Sequence, residues 1–294
     1  MITLTGINRS FGSTQVLHDV GFSVQPGRMT GFVGANGSGK TTTMRIILGV
    51  LRPNSGEVTV DGAPAGPTWR SRVGYMPEER GLYPKMKVRE QLVYLGRLHG
   101  LSTEGAKRNA SDLLERLGLG ERQNDTLESL SLGNQQRAQI AAALMHEPEA
   151  LILDEPFSGL DPMAVETTLE VLRDVAGAGA PVLFSSHQLD LVERLCDDLV
   201  IIADGRVRAA GTRKEIRAAH SSPEWILESS ADAGWVRHAT GVQVSELDGN
   251  FVRFSADSRE HADAVLRTAL EHGAVTRFTP HERPLTEIFQ EVVR

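Results

Sequence analysis

Apolar residues recur along this chain in two periods. Residues 2–7 and 22–24 alternate between apolar and polar, the spacing of strands that turn one face to a core. Residues 31–33 and 151–153 are instead short unbroken apolar runs that end at polar motifs, as strands buried on both faces of a parallel sheet do. Residues 181–184 form a third such run, which ends at Ser185-Ser186-His187 and is followed by helical spacing through Leu191, Val192 and Leu195. Strand, polar tip and helix thus recur three times. That order predicts a mainly parallel sheet covered by helices, with ligands gathered at the carboxyl ends of the strands.

Val88, Leu92, Leu95 and Leu98 share one helical face, and Leu113, Leu114 and Leu117 begin another, so a helical insertion is predicted over about 85–147. Residues 200–202 run through Asp204-Gly205, a pair suited to a tight reversal, into residues 206–208. Residues 220–223 predict a linker. Beyond it, residues 243–247 and 251–254 flank Asp248-Gly249-Asn250, and Ala262, Val265, Leu266, Ala269 and Leu270 make an amphipathic helix stopped by Gly273. The expected organisation is a large α/β domain over 1–220 and a small α+β domain over 221–294.

Composition narrows the classes. A chain of 294 residues that is 40% hydrophobic and 23% charged is neither disordered nor fibrous, and it has room for two cores. The net charge of −7 disfavours nucleic acid as a partner, because binding to a phosphate backbone depends on clustered Lys and Arg. Cys196 is the one cysteine, which leaves no internal disulfide and predicts a packed thiol in a reducing compartment. No stretch reaches the roughly 20 apolar residues that cross a bilayer, and Met1 opens without a basic and then apolar leader. Neither spanning nor export of this chain is expected, and a membrane role would need another polypeptide.

The sharpest chemistry lies at residues 34–41, Gly34-Ala35-Asn36-Gly37-Ser38-Gly39-Lys40-Thr41, which follow G-x-x-x-x-G-K-[ST]. The motif stands between an apolar strand and a helix through Met44, Ile46, Ile47 and Leu48. Its glycines let backbone amides turn around a phosphate, Lys40 suits the β and γ phosphates, and Thr41 suits magnesium. Thr42 stands where a dinucleotide fingerprint needs its third glycine, and Asn-Lys-x-Asp, the usual guanine reader, is missing. ATP is therefore the expected ligand. Residues 151–155, Leu-Ile-Leu-Asp-Glu, add two carboxylates at a strand tip: Asp154 to hold magnesium through water, Glu155 to orient or deprotonate the attacking water.

These residues, with four further elements, resemble the ATP-binding cassette (ABC) transporter family over about residues 1–211. Leu130-Ser131-Leu132-Gly133-Asn134-Gln135-Gln136 is similar to the family's signature loop, and Ser158-Gly159-Leu160-Asp161-Pro162 to its D-loop. Ser186-His187 resembles the switch histidine, and Phe11 sits like the adenine-stacking aromatic. Taken singly, Ser131 also suits a helix cap, His187 a partly buried core histidine, Asp161-Pro162 a helix start and Phe11 plain packing. Residues 74–84 resemble the Q-loop of a bacterial exporter subgroup that includes sodium-extrusion and drug-resistance ATPases, with Glu78 in place of the usual glutamine. In the signature, Leu132 replaces the first glycine and Asn134 the glutamine.

The resemblance implies a P-loop NTPase of ABC type: a mainly parallel sheet core, an antiparallel β subdomain and a helical subdomain, with a small C-terminal α+β domain besides. It implies ATP and Mg2+ as ligands, with Phe11, residues 34–41 and Thr42 on the nucleotide and Thr41, Glu78 and Asp154 on the metal. Lys40, Glu155 and His187 would carry hydrolysis, while Ser131, Gly133, Asn134 and Asp161 would complete the nucleotide contacts, the signature residues from a second nucleotide-binding domain. The further partner implied is an integral membrane permease, which the chain serves from the cytoplasmic face, in the direction of export. The rival readings are a soluble ABC ATPase outside transport and a catalytically idle regulatory ATP binder.

Overall fold

The computed structural model describes residues 1–79, 81–220, 224–281 and 284–293. The chain divides into two compact units, Met1–Arg213 with the terminal stretch from Val292, and Lys214–Glu291.

The first unit opens with β1 (Ile2–Phe11), β2 (Thr14–Val24), β3 (Met29–Val33), α1 (Lys40–Ile47), β4 (Ser55–Val60), β5 (Ala63–Pro64), α2 (Pro67–Arg70) and β6 (Val73–Met76). The helices α3 (Val88–Leu98), α4 (Thr103–Arg116) and α5 (Leu132–Leu144) follow. The unit then runs through β7 (Ala150–Leu153), α6 (Pro162–Gly177), β8 (Val182–Ser186), α7 (Leu189–Leu195), β9 (Asp198–Ala203) and β10 (Arg206–Thr212), and leads into α8 (Arg213–His220). Six strands form one sheet in the order β10-β9-β3-β8-β7-β6, parallel except at β10. Every residue of β3, β7 and β8 is buried, which is why these segments read as unbroken apolar runs.

A second, antiparallel sheet has the order β2-β1-β4-β5. Its inward residues Ile2, Leu4, Leu17, Val20 and Phe22 join Phe32, Met44, Ile46, Ile47, Ile152 and Leu183 in one core, so the first strands clamp α1 onto the parallel sheet. Asp204 and Gly205 both take positive φ, 49° and 69°, the geometry of a tight hairpin turn between β9 and β10. Cys196 is packed: a side-chain carbon built at Gly31 would lie 2.6 Å from its Sγ, and burial pushes its thiol well up from the ordinary range.

The helical predictions need three corrections. Leu113, Leu114 and Leu117 end a helix rather than begin one; α4 starts ten residues before Leu113, at Thr103, capped by Ser102, whose Oγ accepts from the Gly105 amide at 3.1 Å. The first half of α4 buries only Ala106, with Ala110 following, and alanines barely mark a hydrophobic period. Leu98 is 64% exposed, because α3 buries Gln91 and Gly96 on the face that periodicity assigned to leucines. Leu270 is 59% exposed for a similar reason, its helix packing through smaller residues. Of the expected linker, His220 closes α8, and residues 221–223 lie outside the described residues.

The second unit contains α8 from Lys214, β11 (Glu224–Ser229), β12 (Val242–Asp248), β13 (Phe251–Ala256), α9 (Arg259–His272), β14 (Val275–Pro280) and α10 (Leu285–Val293) as far as Glu291. Its sheet has the order β12-β13-β11-β14 with every neighbour antiparallel. This is a split β-α-β arrangement in which α9 makes one crossover and a short 3-10 turn, Gly234–His238, stands in for the other. Val236 of that turn and Ala262, Val265 and Ala269 of α9 bury Leu227, Val252, Phe254 and Ala256. On the other face Arg253 lies 3.2 Å from a Glu246 carboxylate oxygen and donates to His281 Nε2 at 3.2 Å.

Candidate nucleotide site

Four segments of the first unit meet at the carboxyl ends of β3, β6, β7 and β8. The first is the loop between β3 and α1. Gly34 has no room for a side chain, since a carbon there would fall 2.4 Å from the Ile202 carbonyl oxygen and 2.5 Å from Ser38 Oγ. Gly39 caps α1 at φ 108°, a conformation glycine alone holds cheaply. The loop thereby closes tightly, and the Ser38 amide donates to the Ala35 carbonyl at 3.1 Å. Lys40 is 7% exposed, and its ammonium donates to the carbonyls of Gly34 at 2.6 Å and Ala35 at 3.2 Å. A buried cation at the head of a helix, inside a curl of backbone, is an anion-binding arrangement.

The cleft beside this loop holds 530 Å³. Asn36, Gly37, Gly39, Lys40, Thr41 and Thr42 line it on one side, Asp154, Glu155 and Glu78 on the other, with Val16 reaching in from β2. Asp154 is 1% exposed; its Oδ1 accepts from Ser185 Oγ at 2.5 Å, whereas its Oδ2 is buried without a partner. An orphaned carboxylate oxygen in a buried site calls for a cation. Oxygens of Thr41, Asp154 and Glu78 around one cleft fit a hard divalent ion such as Mg2+.

Glu155 follows with φ 53°, a left-handed backbone that is strained for any residue with a side chain. Its amide donates to Ser185 Oγ at 2.8 Å, and its carbonyl accepts from Gln136 Nε2 at 2.9 Å. The side chain is 12% exposed, with Oε2 3.0 Å from Nδ1 of His187. His187 is half exposed, so it is no core histidine. Tyr75 lies beneath: burial and then the charge of Asp154 push its phenol up, against the opposing effect of Arg45, and it stays a neutral hydroxyl.

The family model described as "ABC transporter" matches residues 17–158, and that of the "ATP-binding protein DrrA1-3-like, C-terminal domain" matches residues 211–293. The ABC transporter ATP-binding protein YhaQ of Bacillus subtilis is 36% identical over 293 residues, covering 100% of this chain and 98% of its own. The chain belongs to the ATP-binding proteins of ABC transporters. Linearmycin resistance ATP-binding protein LnrL, also of Bacillus subtilis, is 36% identical over 219 residues, 74% of this chain and 70% of LnrL. A solved ATP-binding subunit of an ABC transporter superposes with a TM-score of 0.69 at 35% identity, covering 74% of this chain and 92% of its own.

The remaining motif residues lie outside the cleft. Ser131 caps α5, its Oγ accepting from the Asn134 amide at 3.3 Å, and the Asn134 side-chain oxygen accepts from Arg137. Asp161 caps α6, its Oδ1 accepting from the Ala164 amide at 2.9 Å, with Pro162 as the first helical residue. The two caps are neighbours, since a carbon built at Gly133 would lie 3.1 Å from the Gly159 carbonyl oxygen. Ser131, Gly133, Asn134 and Asp161 are not among the residues lining the cleft. Phe11 is 47% exposed at the end of β1, and the Arg9 guanidinium lies 4.6 Å from its ring centre.

Three residues to which motif reading gave no role bind the site together. Ser185 joins Asp154 to the Glu155 backbone, Gln136 holds the Glu155 carbonyl, and Gln139 Nε2 donates to the carbonyls of Pro77 and Glu79 at 3.1 Å each, on either side of Glu78. The available signals were the two serines that end an otherwise apolar buried strand and the place of Gln136 in the signature run.

Proposed function

We propose that this chain hydrolyses ATP with Mg2+ as one of a pair of nucleotide-binding domains, and so drives a separate membrane permease, in the direction of export. The observation that carries the reading is the convergence of Lys40, the unpartnered Asp154 oxygen and Glu155, with His187 3.0 Å behind it, on one cleft that the signature residues do not line. Thr41, Asp154 and Glu78 would hold Mg2+, which when bound neutralises charge on the phosphate oxygens. Lys40 offers its ammonium to the β and γ phosphates. Glu155 orients water and takes its proton. His187, 3.0 Å from the Glu155 carboxylate, would serve as the switch that senses the γ phosphate.

Ser131, Gly133 and Asn134 stand at a helix N-terminus outside the lining of the chain's own cleft, a position that suits the nucleotide of a second chain. Dimeric cassettes of this family support that arrangement. ATP then acts as a ligand with higher affinity for the closed pair, and its cleavage lets the pair open. Among the described residues no helix is long and apolar enough to cross a membrane, so the pathway belongs to the permease and the chain would sit at its inner face. The helical insertion, with the segment from Glu78 to Pro84 in which Tyr83 is 58% exposed, is the surface proposed for the permease. A relative named Nod factor export ATP-binding protein I, of Burkholderia lata, 37% identical over 213 residues, supports export.

Phosphate release from ATP by the purified chain tests this reading. It is expected to require Mg2+ and to rise more steeply than linearly with protein concentration, because each cleft borrows a second chain. A chain that binds ATP and releases no phosphate under any of these conditions would be the idle regulatory binder instead. For the C-terminal unit we propose a role in dimer contact. Ending the chain after His220 is expected to leave nucleotide binding intact and weaken ATP-dependent dimerisation in sedimentation, and equal dimerisation of both forms would remove that role.

A further inference from the structure

Helix α5 starts with the signature residues, yet one of its faces is keyed to the chain's own nucleotide loops. Gly133 packs against the Gly159 carbonyl. One turn later Gln136 donates to the Glu155 carbonyl at 2.9 Å, and a further turn on Gln139 donates to the Pro77 and Glu79 carbonyls. A spacing of three aligns these residues along one side of the helix. The glutamines are 6% and 4% exposed. A buried amide that loses its acceptor is left desolvated and unpaired, so α5 cannot shift without carrying those carbonyls or breaking costly bonds.

Glu155 is the residue most sensitive to such a shift. Its left-handed backbone persists only where the surroundings impose it. The groups that do so are Ser185 Oγ at its amide, and the Ser158 amide and Gln136 at its carbonyl. Of these, Gln136 alone belongs to the signature helix.

We infer that Gln136 and Gln139 are positioning residues that make hydrolysis in one cleft depend on where the signature helix sits. Seating of Ser131 and Gly133 on a second chain's nucleotide moves α5, and the two glutamines pass that movement to Glu155 and to the segment bearing Glu78. Neither glutamine lines the cleft, so neither acts on substrate directly. The inference rests on the hydrolytic reading above.

Gln136→Met keeps the length and bulk of the side chain and removes its donor, which makes it the decisive variant in the full chain. Its kcat is expected to fall at least ~10-fold, as for other small displacements of a reacting group, with KM for ATP and the melting temperature held. In a Glu155→Gln background it should still dimerise with ATP. Wild-type turnover by Gln136→Met would overturn the inference, as would a joint loss of kcat, ATP affinity and melting temperature, which would mark a packing role. Should that variant not fold, Gln139→Met carries the same test with the same split. An inactive wild-type chain would sink the hydrolytic reading and this inference together; an active one with an unaffected Gln136→Met would sink this inference alone.

Discussion

Lys40→Ala is expected to abolish measurable ATP binding. The ammonium is buried inside the curl of residues 34–39 and already bonds two of its carbonyls, so it cannot be replaced by a neighbouring cation without rebuilding the loop. Charge-assisted hydrogen bonds are worth about 1.5–3 kcal/mol each, and losing two to phosphate oxygens predicts an affinity loss of roughly 10²- to 10⁴-fold. Calorimetry with magnesium-bound ATP measures this directly. Affinity within about threefold of the parent chain would show that Lys40 is not the phosphate anchor. The fold should survive, because the core beneath α1 is built from Met44, Ile46 and Ile47 rather than from the lysine.

Glu155→Gln should separate binding from turnover. The amide keeps the side chain's length and can still hydrogen-bond His187, and the backbone clamps from Ser185 and Gln136 do not involve the carboxylate. What is lost is a base, and removal of a positioned base lowers rates about 10²- to 10⁴-fold. ATP should therefore stay bound and hold two chains together, giving a dimer on gel filtration that the parent chain forms only briefly. Turnover at the parent rate, or failure to dimerise with ATP, would remove Glu155 from the role of base.

The legible parts of the site were those whose geometry is local. Residues 34–41 dictate their own curl: glycines open it, a strand and a helix flank it, and the lysine follows at the helix start. Asp154 and Glu155 are adjacent at the end of an apolar strand, so their sharing of a tip needs no knowledge of the rest of the chain. Ser185, Gln136 and Gln139 carried no comparable signal. Ser185 meets Asp154 across 31 residues, Gln136 meets Glu155 across 19, and Gln139 meets Pro77 across 62. A serine or glutamine gains such a partner from the packing of distant elements, and nothing in its neighbours announces it. The misplaced start of α4 and the exposed Leu98 failed for a related reason: burial there falls on alanine, glycine and a glutamine, which hydrophobic periodicity does not see.

By itself the sequence determined the alternation of buried strands and helices, the phosphate loop, the paired acids and membership of a nucleotide-binding class, because each is written in contiguous residues or in a regular period. Only the tertiary structure decided which oxygen of Asp154 stays unpartnered, how Glu155 is held in a left-handed backbone, and which face of α5 reaches the chain's own loops. Those features depend on side chains from separate segments meeting in a buried space, where a polar atom must find a partner or a ligand, and it is folding that selects which one it finds.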